Sequence, residues 1–430
     1  MGHNENPVAI VVSPLVALME DQVKEATELG ITAMQLGVHN EVDITSGRCQ
    51  LLFGSPESWL LNKKWRDMLG SDVFQANVMG IVVDEVHLTY KWGQGAKGQT
   101  AFRESFDKLE ELRSLVKAGT PVLALTASAD RQSIARVMKR LQMDNPTVLA
   151  RSPNRTNIRL GLIKFPIHAL DCLDWIVRDV KEKGISILPV IIYCKTVKAV
   201  GRVFCNLKGE LCEDSWVDQD PEKKTENLLI GMFHSQTLPQ NKNRVLSSLS
   251  GQGSCRVVVA TTALGMGLNF PNVSHIVMYG LPDDVEAMVQ QVGRAGRGGL
   301  QAHAIVYAVK QHTKLDPAVK TVLETGVNSC LRKALYCHFE EHTTSVDPGH
   351  LCCTHCHSVC SCESEGCGEP IPKYEHFQGE VTSPDKHRMV TPEDKLLIRD
   401  LLQTYRSSLL RDHTNIRLYT VDTACTSFGD

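Results

Sequence analysis

Three sets of side chains in this 430-residue chain have the types and spacing to do chemistry. The first is Asp84-Glu85-Val86-His87, which follows directly on the apolar run from Val78 to Val83. One carboxylate of such a pair can hold Mg2+, directly or through water, and the other can orient and deprotonate an attacking water. The second is Gln290-Gln291-Val292-Gly293-Arg294-Ala295-Gly296-Arg297. Arginines three apart on a helix share a face, and small residues between them leave both guanidinium groups unobstructed. Fixed, forked positive charge suits a phosphate whose charge grows during transfer. The third set is sulfur: eight of the 15 cysteines lie between Cys330 and Cys367, among them the C-x2-C pair Cys353 and Cys356. That spacing signals tetrahedral zinc, and a cysteine-only site is normally closed and structural, which argues against a zinc hydrolase.

Positioning these groups requires strands that end where the chemistry begins. A carboxylate pair at the C-terminal edge of a buried strand is where an open α/β sheet places its active site. Val8 to Val12 reads as such a strand, with Ser13 as the cap and Pro14 at the first position of a helix that carries Gln22. Gln50 to Phe53 is a strand before Ser55-Pro56-Glu57, and Pro121 to Leu125 a strand before Thr126-Ala127-Ser128-Ala129. The breaker-rich Arg151 to Arg159 marks a boundary. Beyond it come a helix over Asp171 to Lys183, a strand over Val190 to Cys194 and a helix beginning at Lys195-Thr196. The charged Gly209 to Asn227, with Glu213, Asp214, Asp218 and Asp220, reads as a solvated loop. Arg256 to Thr261 is a strand ending before Gly265-Met266-Gly267, where the backbone turns tightly or lets something approach. Ile276 to Tyr279 is another strand. Pro282-Asp283-Asp284 then caps a helix from about Val285 that delivers the two arginines.

Strands alternating with helices twice over predict two parallel-sheet α/β domains, over 1–152 and 153–325. A zinc-binding module over 326–368 follows, with Cys330 on a helix. A linker and a C-terminal helix from Thr391 toward Leu410 fill 369–430. Hydrophobic content of 42% and a net charge of −3 are ordinary for a globular chain and announce no global basic field. A binding groove for nucleic acid needs only local basic residues. No run of about 18 apolar residues suggests a membrane span, and the polar start leads straight into a strand, unlike a secretory signal.

The motifs resemble those of superfamily 2 helicases and, within them, the RecQ family. The resemblance covers residues 7–362. ATTALGMGLNFPNV and QQVGRAGRGG stand where the family reads ATxAFGMGIDKPxV and QExGRAGRDG. PLVALMEDQV, SPE, DEVH, LTASA, SPNRTNIRL, IIYCKT and FH have counterparts, and KWGQGAKGQTAFRESF is similar to the family's aromatic-rich loop. Asn269 and Gly298 replace carboxylates, and Val86, Lys91, Phe106, Leu264, Leu268, Phe270 and Gln291 also depart.

The resemblance implies two RecA-like domains, the first truncated, with ATP and Mg2+ between them and Zn2+ in the module. It implies a catalytic set of Asp84, Glu85, His87, Gln290, Arg294 and Arg297, with Asp84, Gly265, Gly267, Arg294 and Arg297 toward ATP and metal. DNA, single-stranded or at duplex junctions, would meet Ser13, Pro14, Gln22, Ser55, Pro56, Trp92, Phe102, Arg103 and Thr196. The implied zinc ligands are Cys330, Cys353, Cys356 and Cys360; by spacing alone Cys337, Cys352, Cys362, Cys367 and nearby histidines remain open. Movement 3′ to 5′ and a nuclear location follow from the family and its substrate, and no protein partner is indicated. An ATPase of this type also needs a glycine-rich loop with GKS or GKT, and neither occurs. The expectation is an N-terminally incomplete helicase that alone hydrolyses ATP poorly. The alternative is a non-catalytic DNA-binding or regulatory protein derived from one.

Overall fold

Short apolar runs rich in β-branched residues become strands, and buried on both faces they pair in parallel. A computed structural model of the chain describes residues 6–88, 91, 104–165, 170–217, 222–265, 270–309, 315–344, 346–369 and 391–411. The strands are β1 (Val8–Val12), β2 (Ala33–Gln35), β3 (Leu51–Gly54), β4 (Val78–Val83), β5 (Val122–Ala124), β6 (Ile158–Phe165), β7 (Val190–Cys194), β8 (Ile230–Phe233), β9 (Val257–Ala260), β10 (His275–Tyr279) and β11 (Ala302–Val309). They form two sheets, in the orders β2-β3-β1-β4-β5 and β6-β11-β10-β7-β9-β8, with every pairing parallel.

Register sets the working edge of each sheet. Val12 lies level with Gly54 and with Val83, so the chain leaves β1, β3 and β4 at one edge, delivering Ser13, Ser55 and Asp84 together. In the second sheet Tyr279 lies level with Cys194, and Tyr193 with Ala260. The stretches that follow carry Thr196, Gly265 and, one helix later, Arg294. Gly54 is required by packing. A Cβ there would come within 2.6 Å of Nε1 of Trp59, a fully buried ring whose indole N–H donates to the Val11 carbonyl.

Several local expectations need correction. Ser13 does not cap the first helix. That helix runs Val16–Glu28 with Leu15 at its N-cap, because the Ser13 N–H continues the ladder by donating to Gly54 O at 3.1 Å. The helix Val197–Leu211 reaches into the charged stretch, and Trp216 bridges to Leu228, so much of that segment is structured. Cys330 is the N-cap of the short helix Leu331–Tyr336 and not a residue within it.

The cysteine-bearing segment shares the core of the second sheet. Leu331, Leu335, Tyr336, Cys352 and Cys353 pack in one cluster with Ile158 and Leu160 of β6 and Val289. Leu160 N–H donates to Cys352 O at 3.1 Å, and Leu162 N–H to Thr354 Oγ1 at 2.9 Å. Arg332, fully buried, donates to Asn154 Oδ1 at 2.6 Å and to the carbonyls of Arg155, Ile158 and Cys352. Residues 375–430 form a separate unit. Its helix Pro392–Arg411 opens on a reciprocal cap in which Thr391 Oγ1 accepts from Asp394 N–H and the Asp394 carboxylate accepts from Thr391. Among the described residues no helix is long and apolar enough to cross a membrane.

Candidate active site

At the end of β4 the ladder continues on both sides of Glu85. Asp84 N–H donates to Val12 O and Val86 N–H to Leu125 O, each at 2.9 Å. Between them Glu85 adopts φ +47°, a left-handed conformation that a non-glycine residue holds only when its surroundings impose it. Asp84 Oδ1 accepts from Glu85 N–H at 2.9 Å and Oδ2 from Gln22 Nε2 at 3.0 Å. Burial, and then the charge of Asp84, push the Glu85 carboxyl above its ordinary pKa, while Arg294 opposes the rise. A carboxylate with raised proton affinity, half-shielded from water, is suited to accept a proton.

His87 joins this pair to the second sheet. Its Nδ1 lies 3.2 Å from Glu85 Oε2 and 3.1 Å from Thr126 Oγ1, and its Nε2 lies 2.9 Å from Gln290 Nε2. The Gln290 amide also donates to Ser128 Oγ at 2.7 Å. Burial first, then Lys91, pull the His87 pKa down to about 4, against Glu286 and Asp284. The ring is therefore neutral near pH 7. The consistent tautomer places the hydrogen on Nδ1, toward Glu85 and Thr126, and leaves Nε2 to accept from Gln290.

The second sheet supplies positive charge, though not as a helical face. The helix Val285–Val292 stops before the arginines, with Gly293 at its C-cap and Gly296 at φ +57°. The loop that follows is shaped by Arg155 and Asn157 from the segment ahead of β6. Arg155 donates to the carbonyls of Gly293 (3.3 Å), Ala295 (2.8 Å) and Gly296, and Asn157 Nδ2 to Gly296 O (2.9 Å) and Leu300 O (2.8 Å). These side chains take up the Gly293 carbonyl at the helix end and the loop carbonyls beyond it. Arg294 donates to Gly265 O. Arg297 is exposed by area yet half surrounded by protein, and that partial burial, then Arg294 and Arg155, hold its pKa below the ordinary arginine range. The Tyr193 hydroxyl, buried with no hydrogen-bond partner among the described residues, would lie 3.9 Å from a Cβ at Gly265.

Pro14, Leu15, Leu18, Glu85, His87, Leu88 and Ala127 from the first sheet's side and Gly265, Gln290 and Arg294 from the second line one cleft. Asp84 adjoins Glu85 and Arg297 lies near Arg294, although neither lines the cleft itself. Arg294 facing Glu85 across the cleft, with Arg297 near it, fits the terminal phosphate of a nucleotide, and Asp84 fits magnesium in kind. Gly267, Trp92, Phe102 and Arg103 lie outside the described residues, as does Asn269. Ser55 Oγ accepts from Ser58 N–H and Thr196 Oγ from Ala199 N–H, both at 3.1 Å, so these hydroxyls cap helices, and Pro56 is buried at the first position of its helix. The Gln22 amide, expected at DNA, is taken by Asp84.

Sequence reasoning missed a second link across the cleft. Lys91 Nζ lies 3.1 Å from Asp284 and 3.0 Å from Glu286, and Glu286 Oε1 accepts from Asp130 N–H at 3.2 Å. Burial opposes the Lys91 charge, but the two carboxylates outweigh it and raise its pKa. Lys91 drew notice only as a departure from a pattern, and Asp284 only as a helix cap, which it also is.

The thiols divide in two. Cys330, Cys352, Cys353 and Cys356 converge, with ligand atoms within 4.8 Å of one another and Cys330 Sγ 3.7 Å from Cys352 Sγ. Cys360 is not among them: it gathers with His350, Cys362 and Cys367. The helix Thr354–Ser358 carries Cys360 past the first group, and Cys352, anchored to β6 through its carbonyl, takes the fourth place. Four thiols at these separations fit a zinc ion by donor chemistry.

Known proteins similar to this chain are helicases. Residues 2–137 match the family described as DEAD/DEAH box helicase, and residues 180–299 match the helicase conserved C-terminal domain. The chain is 28% identical over 357 residues to the putative ATP-dependent DNA helicase Q1 of Caenorhabditis briggsae, spanning 78% of this chain and 54% of that protein. It is 28% identical over 310 residues to the ATP-dependent DNA helicase RecQ of Pasteurella multocida, spanning 70% and 43%. The chain thus spans about half the length of these curated relatives. In fold it is similar to S. cerevisiae Dbp5 bound to RNA and ADP BeF3, with a TM-score of 0.53, 16% identity, and coverage of 79% and 78%.

Proposed function

The chain belongs to the DEAD/DEAH-box helicases, in their RecQ-like branch, and from that premise we propose that it is the motor region of an ATP-dependent DNA helicase moving 3′ to 5′. One observation carries the proposal: Glu85 and His87 from one sheet and Gly265, Gln290 and Arg294 from the other line a single cleft. The substrate would be ATP. Arg294, with Arg297 near it, would meet the terminal phosphate. Glu85, its pKa raised, would take the proton of the attacking water. Asp84 would hold magnesium, which supplies charge neutralisation on the phosphates. Gln290 and neutral His87 would report the state of Glu85 to the second sheet, so that closure and reopening of the cleft move the strand.

DNA would run past Ser55 and Thr196 and, by the family resemblance, would meet Trp92, Phe102 and Arg103; Ser13, Pro14 and Pro56 are buried and would support that face from within, and Gln22 would act there through Asp84. Nuclear residence accompanies this reading. These 430 residues contain no GKS or GKT, the motif that would cradle the remaining phosphates. A non-catalytic DNA-binding role is the second reading, favoured by Gly298 in place of a carboxylate.

A DNA-stimulated ATPase and strand-displacement assay on a 3′-tailed duplex separates the two. The 430-residue chain alone should turn over ATP at background. Joined behind a strand–loop–helix bearing GKT, it should gain activity, and Arg294→Ala or Glu85→Gln should remove most of it. Robust turnover by the chain alone refutes the first expectation. No turnover by the extended chain, with DNA binding intact, favours the second reading.

A further inference from the structure

The cysteine segment holds more sulfur than one tetrahedral site can use. With Cys330, Cys352, Cys353 and Cys356 in one group, three more thiols still converge, Cys360, Cys362 and Cys367, and the His350 ring converges with them. The four ligand atoms lie within 4.8 Å of one another. His350 Nδ1 is 3.2 Å from Cys362 Sγ and 3.8 Å from Cys360 Sγ. A zinc tetrahedron with Zn–S near 2.3 Å and Zn–N near 2.0 Å has edges of roughly 3.5 to 3.8 Å, so these separations fit around one ion. None of the three thiols is in a disulfide.

His350 is the second observation. It is only 2% exposed, and the partners of its Nδ1 are thiols. An imidazole nitrogen withdrawn from water against weak sulfur partners is poorly compensated, whereas a metal ion would use the same nitrogen as a ligand. The backbone prepares the site too. His350 sits on the turn Gly349–Leu351, which leads into Cys352 and Cys353, and a Cβ at Gly349 would stand 3.3 Å from Cys356 O and 3.7 Å from Cys360 Sγ. The far end of the loop is pinned: the His357 ring Nε2 lies 2.7 Å from Cys367 O, and Arg159 of β6 donates to Glu369 O at 3.0 Å.

We propose that His350, Cys360, Cys362 and Cys367 form a second zinc site, of Cys3His type, distinct from the four-cysteine group and closing residues 350–367 into a second knuckle against the same sheet. Zinc binding displaces the three thiol protons to solvent. The site is structural, since all four positions are filled by protein. It stands independently of what the cleft does.

Metal analysis and zinc-edge X-ray absorption on the purified 430-residue chain test it. Two zinc ions per chain are expected, with an average of three and a half sulfur and half a nitrogen per zinc, since seven thiols and one imidazole would be shared by two ions. Cys362→Ser with Cys367→Ser should lose one of the two ions, and His350→Cys should keep two and raise the average to four sulfurs. A single zinc bound by sulfur alone in the unaltered chain overturns the proposal. So does a second zinc with no nitrogen ligand, or one that survives the double serine variant. The absorption measurement needs only the unaltered protein, so a variant that fails to fold does not shield the proposal.

Discussion

The cleft and the cysteine segment place reactive side chains by opposite means. In the cleft, Glu85 and Arg294 are more than 200 positions apart, and β4, β9, β10 and the helix Val285–Val292 bring them together. Around the cysteines, every member of the two groups, from Cys330 to Cys367, belongs to one stretch, and a turn of helix decides which group a thiol joins. Long-range placement depends on sheet register, which the hydrophobic pattern fixes strongly. Short-range placement depends on a few backbone dihedrals, which spacing leaves open.

The largest effect that would break this contrast concerns the first thiol group. Cys352 and Cys353 are core residues of the second sheet's cluster, so a metal there would hold β6 as well as its own segment. Zinc binding to small structural sites is worth on the order of 10 kcal/mol or more, comparable with the whole stability of a domain. Cys353→Ser, or stripping with a chelator, should therefore abolish cooperative melting of the second sheet. If melting of that sheet is unchanged without metal, the segment is a local appendage after all.

A smaller effect tests the cleft. Glu286 is 3% exposed, and Lys91 is the cation that faces it across the cleft. Lys91→Met would leave a buried carboxylate relying on the Asp130 N–H and its remaining contacts, for a loss of about 3 kcal/mol, the low end for a broken buried pair because Lys91 is partly exposed. Denaturation of the single variants and of Lys91→Met with Glu286→Gln gives the coupling directly. A coupling near zero would mean the two sheets meet without this link.

Much of the cleft was legible because its signals are periodic. Val78 to Val83 is a strand at the residues its pattern predicts, and so is Val190 to Cys194; the chemistry then follows at their ends. The pattern failed where a single cap or turn decided. Ser13 has the composition of an N-cap, but the ladder bond to Gly54 claims its backbone and starts the helix three residues later. Arg294 and Arg297 follow a helix in sequence, yet Gly293 ends it, and the donors that stabilise the resulting loop, Arg155 and Asn157, are about 140 residues away. No local signal connects them. Cys360 has the spacing of a ligand; nothing in the spacing says which of the two groups it joins.

The smallest effect sharpens the comparison at His87, the residue through which Glu85 and Gln290 meet. Its pKa in the folded chain is about 4, against about 6.5 for a free histidine. The unfolded chain therefore binds more protons between these values. The stability His87 contributes is complete above about pH 6.5 and is lost as pH falls toward 4. Between pH 7 and pH 5.5 the loss amounts to about 1 kcal/mol. His275 and His303, stacked with ring centroids 4.8 Å apart and also depressed by burial, to about 4 and about 3, titrate over the same range. The slope of the unaltered protein alone thus cannot isolate His87, and the difference from His87→Gln can. That variant keeps a carboxamide able to accept from Gln290 but cannot be protonated, so its stability between pH 7 and 5.5 should fall by about 1 kcal/mol less. Superimposable pH profiles would mean that a protonated ring is tolerated in the cleft, and that Gln290 does not depend on an unprotonated Nε2.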